Sequence, residues 1–176
     1  RKEYLIIPEV SSERRTFIPI GFETPNTLAS NLVKILPDAS LYHFGMLSCT
    51  MHNAWMRNVC GRMKSDYRYS KDIVYNNYPW PEQPTAAQKA TVEKAAQGVL
   101  DARAQFPKAS LADLYDPLTM PPALLKAHHA LDKAVDKCYR PQPFTTDAKR
   151  VEFLFELYEK YVGGLLVESG KGKKRK

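Results

Sequence analysis

Prolines 79, 81 and 84, set around Trp80 in YPWPEQP, do most to limit what this chain can fold into. Each fixes its own φ at about −65° and carries no amide hydrogen, so neither a continuous helix nor an interior strand can run through the cluster. Upstream of it the apolar runs are short and rich in Ile, Val, Tyr and Phe; downstream the chain is rich in Ala, Lys, Glu and Gln. The expected organisation is therefore α+β. A small mixed α/β segment with a β-hairpin and a long helix covers residues 1–81, a three-helix α-helical domain covers 82–170, and KGKKRK at 171–176 is a disordered basic tail.

In the first segment, Tyr4 to Val10 and Thr16 to Phe22 read as two strands joined by the polar SSERR into a hairpin. Pro8 and Pro19 place both strands at an edge or a bulge. A turn follows at Thr24–Pro25–Asn26, and Leu28 to Leu36 is a short strand or helix that stops at Pro37. Leu41, Phe44, Leu47, Met51, Trp55 and Val59 then recur at three- and four-residue steps, which predicts one amphipathic helix. Asp38 or Ser40 caps its start, and Gly61 ends it in the left-handed conformation. After a polar loop, IVY is β-like. The second segment predicts helices over Ala86–Phe106, Pro121–Cys138 and Thr146–Val162. Stripes such as Leu124, His128, Leu131 and Val135, or Val151, Leu154, Phe155 and Tyr158, supply the core.

Charge and motifs exclude several classes of function. The net +7 divides into +3 for residues 1–81, −1 for 82–170 and +5 for the tail, so overall basicity says little. Local density says more: Arg57, Arg62, Lys64, Arg68 and Lys71 face the single acid Asp66 and alternate with Trp55, Tyr67 and Tyr69. No apolar run reaches the roughly 18 to 20 residues of a membrane span, and three widely spaced Cys make no disulfide framework, so the chain reads as soluble and cytoplasmic. Starting at Arg1 without Met, it reads as a fragment of something longer. His43, Cys49, His52 and Cys60 lack the two short-spaced pairs of structural zinc, and no metal is assigned. GxSxG, GxGxxG and GxxxxGK[ST] do not occur. Asn76-Asn77-Tyr78-Pro79-Trp80 is close to the Asn-Pro-Pro-aromatic loop with which adenine methyltransferases grip a flipped base, but it lacks the paired prolines. No complete active site is encoded in these residues.

The segments FGMLSCTMHNAWMRNVCGRMKSDYRYS, IVYNNYPWP and YLIIPEVSSERRTFIPIGF resemble the C-terminal part of the MmeI-like family. Its members are large single-chain bacterial restriction-modification enzymes that join an endonuclease, an adenine-N6 DNA methyltransferase and a target recognition domain. The resemblance implies that residues 1–81 are the closing half of a recognition domain and that the rest is the C-terminal helical domain. It also places the nuclease, methyl-donor and catalytic motifs upstream. The implied cofactor of the whole enzyme is S-adenosylmethionine, with Mg if a nuclease is present, and none belongs to this fragment. The implied partners are double-stranded DNA and the upstream methyltransferase domain of the same chain, with no membrane.

Lys64 and Asp66 of GRMKSDYRYS fall where the family sets a base-specifying pair. Chemistry suits them to it: Lys donates to O6 and N7 of guanine, and Asp accepts from N4 of the paired cytosine, each good contact giving on the order of 1 to 3 kcal/mol of discrimination. Arg57, Arg62, Arg68 and Lys71 suit phosphates, as do Arg14 and Arg15 at the hairpin tip, while Asn26, Ser30 and Asn31 could reach base edges. Trp55 lies on the apolar stripe and belongs to the core. Two alternatives stay open at this point, a non-specific nucleic-acid binder using the basic stretch and tail, and a protein-docking scaffold.

Overall fold

A computed structural model describes the backbone of residues 3–171 and the side chains of 3–164. The disordered tail expected at 171–176 lies, apart from Lys171, outside the described residues. The elements are β1 (Tyr4–Pro8), β2 (Val10–Ser11), β3 (Gly21–Glu23), β4 (Val33–Pro37), α1 (Leu41–Ser48), α2 (Thr50–Val59), β5 (Gly61–Met63) and β6 (Asp66–Arg68). A π-helical turn at Lys71–Tyr75 leads to α3 (Ala86–Ala104), α4 (Leu111–Leu114), α5 (Pro122–Tyr139) and α6 (Asp147–Lys171).

Two antiparallel three-stranded sheets share one run of chain. In the first, β1 lies between β3 and β4, with Tyr4 opposite Glu23 and Pro37. Pro8 is the last residue of β1 to pair, opposite Val33, so its missing amide falls at the end of the ladder and the strand is central rather than at an edge. Glu9 then turns the chain into the second sheet, its N–H donating to Leu32 O (2.9 Å) and its carbonyl accepting from Tyr69 N (2.7 Å). There β2 pairs with β6, and β6 with β5.

The expected hairpin is thus only partly present. Its pairing reduces to Tyr4–Ile6 against Gly21–Glu23, and Thr16–Ile20 forms no strand. Phe17, Ile18 and Ile20 are buried nonetheless. Their backbone is satisfied without a ladder: Ile18 N donates to the Asn53 side chain of α2 (2.9 Å), and Ile20 N closes a tight turn around Pro19 onto Ile18 O (2.9 Å).

The helix expected from Asp38 to Gly61 is two helices meeting at Cys49, which is extended (φ −87°, ψ 165°) and flanks both. Asp132 of α5 takes the first amide of α2, accepting from Thr50 N and Thr50 Oγ1 at 2.7 Å each. Ser40 caps α1 in a reciprocal box with His43. Gly61 does not end a helix in the left-handed region: Cys60 ends α2 in an extended conformation, Gly61 opens β5, and among the described residues those with positive φ are Asp38 and Lys64. The IVY segment is not β; it forms the π-turn, where Trp55 Nε1 donates to Val74 O (3.1 Å).

Among the three long C-terminal helices, α3 and α5 pair, and α1 packs on them so closely that a Cβ on Gly45 would meet Val92 Cγ1 at 2.8 Å. The last helix, α6, crosses back to α2, where Phe155 and Tyr158 lie 5.2 and 5.8 Å from the Trp55 ring. The buried core is therefore continuous from β1 to α6. No described helix is long and apolar enough to cross a membrane.

Candidate nucleic-acid interface

The β5–β6 hairpin carries the Lys64–Asp66 pair at its tip. Met63 pairs with Asp66, leaving Lys64 and Ser65 as the loop, and Lys64 takes φ 57°. That conformation costs a non-glycine residue about 1 to 2 kcal/mol. Lys64 is exposed and forms no ion pair among the described residues. Asp66 is half-buried; its Oδ1 accepts from Glu13 N (3.2 Å), and its Oδ2 has no hydrogen-bond partner among the described residues. Exposed beside them is Met63.

Because β2 pairs with β6, the Ser12–Thr16 turn lies against this hairpin. Arg14 and Arg15, expected at a separate tip, thus join the cluster around residues 62–68. Arg14 is exposed, whereas Arg15 is half-buried with its Nε enclosed and unpaired. No local signal marks a two-residue strand as the partner of β6, so sequence alone gives no reason to merge the groups.

The other cations differ in how free they are. Arg57 points inward: its Nη2 donates to Arg15 O (3.2 Å) and Thr16 O, and its Nη1 lies 3.6 Å from Asp147 of α6. Arg62 donates to Ser65 O (2.8 Å), stacks 4.1 Å over the Tyr67 ring and pairs with Glu13 (3.7 Å). Arg68 pairs with Glu9 (3.0 Å), which also holds Lys34 (2.7 Å). Hydrogen bonds from Lys34 and then Arg68 hold the Glu9 carboxyl below its usual range. Lys71 is exposed, 3.8 Å from Asp72. The acids Glu9 and Glu13, with Lys34, were not singled out by sequence, since only the fold brings them to the basic stretch.

Of the aromatic candidates, Trp55 and Tyr69 are core, Tyr69 meeting His52 Nε2 through its hydroxyl (3.0 Å), while Tyr67 lies under Arg62. Asn26, Ser30 and Asn31 sit on an exposed loop pinned by Tyr4 OH to Thr27 O (2.6 Å), and the following Leu32 O accepts from Glu9 N (2.9 Å). His43 and Cys49 serve as caps, and no described cluster of three or more metal-ligating side chains occurs. Asn77 ties the near-miss loop to Asp72 O (2.7 Å) and Ile73 O (3.1 Å), and Tyr78 is buried.

Comparison with known proteins places this geometry. Residues 1–82 match the target recognition domain of MmeI, and residues 84–166 match the MmeI C-terminal domain. DNA methyltransferase A of Bacillus subtilis (strain 168) is 42% identical over 155 residues, covering 88% of this chain and 17% of that protein. The solved structure of the Type IIL restriction-modification enzyme MmeI in complex with DNA superimposes with a TM-score of 0.88 at 52% identity, covering 92% of this chain and 22% of that one. The chain thus spans about a fifth of the length of these relatives.

Proposed function

This chain belongs to the MmeI family, matching its target recognition and C-terminal domains in succession, and on that premise we propose that it is the recognition end of a longer S-adenosylmethionine-dependent adenine-N6 DNA methyltransferase. Residues 1–81 read double-stranded DNA, and the helical residues 82–170 hold that reader rigid and dock it on the methyltransferase domain of the same protein. A cytoplasmic setting is part of the proposal, in keeping with free thiols at Cys49, Cys60 and Cys138.

The observation that carries it is the hairpin tip. Lys64, held out by a left-handed backbone, presents an ammonium two positions from a carboxylate with one oxygen fixed and one open. In the major groove Lys64 donates to guanine O6 and N7, and Asp66 Oδ2 accepts from cytosine N4, so the tip spans one G·C pair. Arg14 and Lys71, both exposed, suit phosphates and set orientation. Arg68 stands beside them with part of its capacity used by Glu9, Arg15 is half-buried with its Nε enclosed, and Arg57 serves the fold. A non-specific binder is less well supported, since Arg62 and Arg68 each have an acid within 4 Å and Arg57 is turned inward, which leaves few unengaged cations in the basic stretch.

The methyl donor of such an enzyme is S-adenosylmethionine, and the described residues do not fit it. Two surface cavities of about 480 and 490 Å³ are open grooves, one at Tyr4, Leu28, Ile35 and Asp38, the other at Arg57, Asn58, Asp147 and Glu152. Neither joins a glycine turn to an acidic ribose partner, so methyl transfer and any Mg-dependent cleavage are assigned to the remainder of the protein.

The test uses the full protein that carries this chain. Lys64 and Asp66 are exchanged for other donor and acceptor types, such as K64E with D66R, and the methylated adenines are mapped. The expected result is a changed base at one position of the site; an unchanged site would refute the assignment.

A further inference from the structure

We propose that Arg62 and Glu13 are positioning residues that fix the shape of the Lys64–Asp66 tip, an inference that rests on the recognition role proposed above. From composition alone, Arg62 looks like a phosphate contact. Its guanidinium is instead used three times within the protein: it donates to Ser65 O at 2.8 Å, lies 4.1 Å over the Tyr67 ring, and stands 3.7 Å from Glu13 Oε2. The first contact closes the loop that holds Lys64 left-handed. The second pins the guanidinium to the strand opposite, since Arg62 and Tyr67 are register partners. The third ties the hairpin to the Ser12–Thr16 turn.

Glu13 completes the link from its other end. Its backbone N–H fixes Asp66 Oδ1 at 3.2 Å, so one residue orients the reading carboxylate with its main chain and holds Arg62 with its side chain. The turn that carries Glu13 is itself anchored. Arg15 N closes on Ser12 O (3.1 Å), and Arg57 of α2 donates to the carbonyls of Arg15 and Thr16 while pairing with Asp147 of α6. A chain of contacts therefore runs from the C-terminal helix through Arg57 and the Glu13 turn to the reading tip. Holding a donor and an acceptor within a fraction of an ångström of their base is what separates discrimination from mere attachment.

Positioning and phosphate contact differ in a measurable way. Removing a phosphate contact lowers the slope of log Kobs against log salt by about 0.9 and weakens all sequences alike. Loss of positioning leaves the slope unchanged and weakens the preferred site selectively. The experiment measures binding of the full-length wild-type, R62A, R62Q, E13A and E13A/R62A proteins to duplexes that differ only at the base pair assigned to Lys64 and Asp66, over a range of salt. R62A is expected to lower discrimination about tenfold with the slope unchanged. R62Q, which can still donate to Ser65 O, retains part of it. E13A has the same sense as R62A and adds little to it, since its side chain acts through Arg62.

A slope reduced by about 0.9 with discrimination intact, a change in both, or no change in either would overturn the proposal. Arg62 and Glu13 are both half exposed, and a thermal melt of each variant checks that it is folded. Failure of the recognition reading itself is separable: the K64E/D66R protein would then show the same base preference as wild type, whatever Arg62 does.

Discussion

Two neutral imidazoles in the core make this fold acid-sensitive in a window that can be worked out. His52 is fully buried between Tyr69, whose hydroxyl meets Nε2 at 3.0 Å, and the edge of Tyr78, and its Nδ1 has no partner. Fully buried His128 stacks on Phe17 at 4.0 Å, with Nε2 2.7 Å from the Tyr115 hydroxyl. Burial pushes His52 down to about 3 from 6.5; burial, with the Arg103 guanidinium nearby, does the same to His128. Below pH 6.5 the unfolded chain therefore binds protons that the folded chain refuses. The stabilisation is complete above 6.5 and is lost as pH falls toward 3. Each imidazole contributes a slope of about 1.4 kcal/mol per pH unit. By pH 4.5 the two together cost roughly 5 kcal/mol, the lower end of the total stability of a domain. Glu9, Asp113 and Glu152, whose carboxyls are held low, act only below about 4.5, and Asp132, raised by burial, works the opposite way near that end. Urea melts from pH 7 to 4.5 should give a limiting slope of about 2.7 kcal/mol per unit for wild type and about 1.4 for H128Q, whatever its absolute loss of stability. Equal slopes for the two proteins, or a flat wild-type profile across this window, would refute the assignment of neutral buried imidazoles. Since Phe17 stacks on His128, the same protonation would loosen the segment that leads out of the Glu13 turn.

Two further substitutions separate recognition from stability. K64G relieves the left-handed strain and should stabilise the chain by about 0.5 to 1 kcal/mol in a thermal melt while removing base discrimination; a destabilised K64G would show that the loop does not strain Lys64. D136N weakens the buried pair in which Arg150 meets both carboxylate oxygens (2.7 and 3.2 Å), and should cost about 2 to 4 kcal/mol by urea melt at neutral pH, with a loss under about 1 arguing against the pair.

The parts of the fold that sequence conveys are those whose cause is local. The stripe Leu124, His128, Leu131 and Val135 is buried as its spacing predicts, and His129, next to it, faces water. Thr85 and Gln88 box the start of α3, and α6 starts at Asp147, one residue inside its expected span, with Thr146 Oγ1 accepting from Lys149 N (3.2 Å). Wherever the outcome depends on a partner far along the chain, local pattern misleads. The break at Cys49 is fixed by Asp132, 82 residues from Thr50, and IVY leaves the extended state where Trp55 takes the carbonyl of Val74. Thr16–Ile20 has strand composition, yet the amide of Ile18 goes to a side chain of α2.

The candidate interface obeys the same division. Charge density around Gly61 is visible in the sequence, but it treats Arg57, Arg62, Lys64 and Arg68 as equivalent, and they are not. Pairing of β2 with β6 delivers Glu13 to the hairpin, and that acid, with Glu9, decides which cations are engaged and which stay free. Lys64 stands out because its neighbours Arg62 and Arg68 have acids to hold them and it has none among the described residues. On the proposed reading, such a tip changes its base by changing Lys64 and Asp66 alone, since the Arg62–Ser65, Arg62–Tyr67 and Glu13–Asp66 contacts use main-chain atoms or residues outside the pair, except for the single Asp66 oxygen. A substitution at position 66 that cannot accept from Glu13 N would forfeit that support, so among new specificities those that keep an acceptor at 66 should retain the most discrimination.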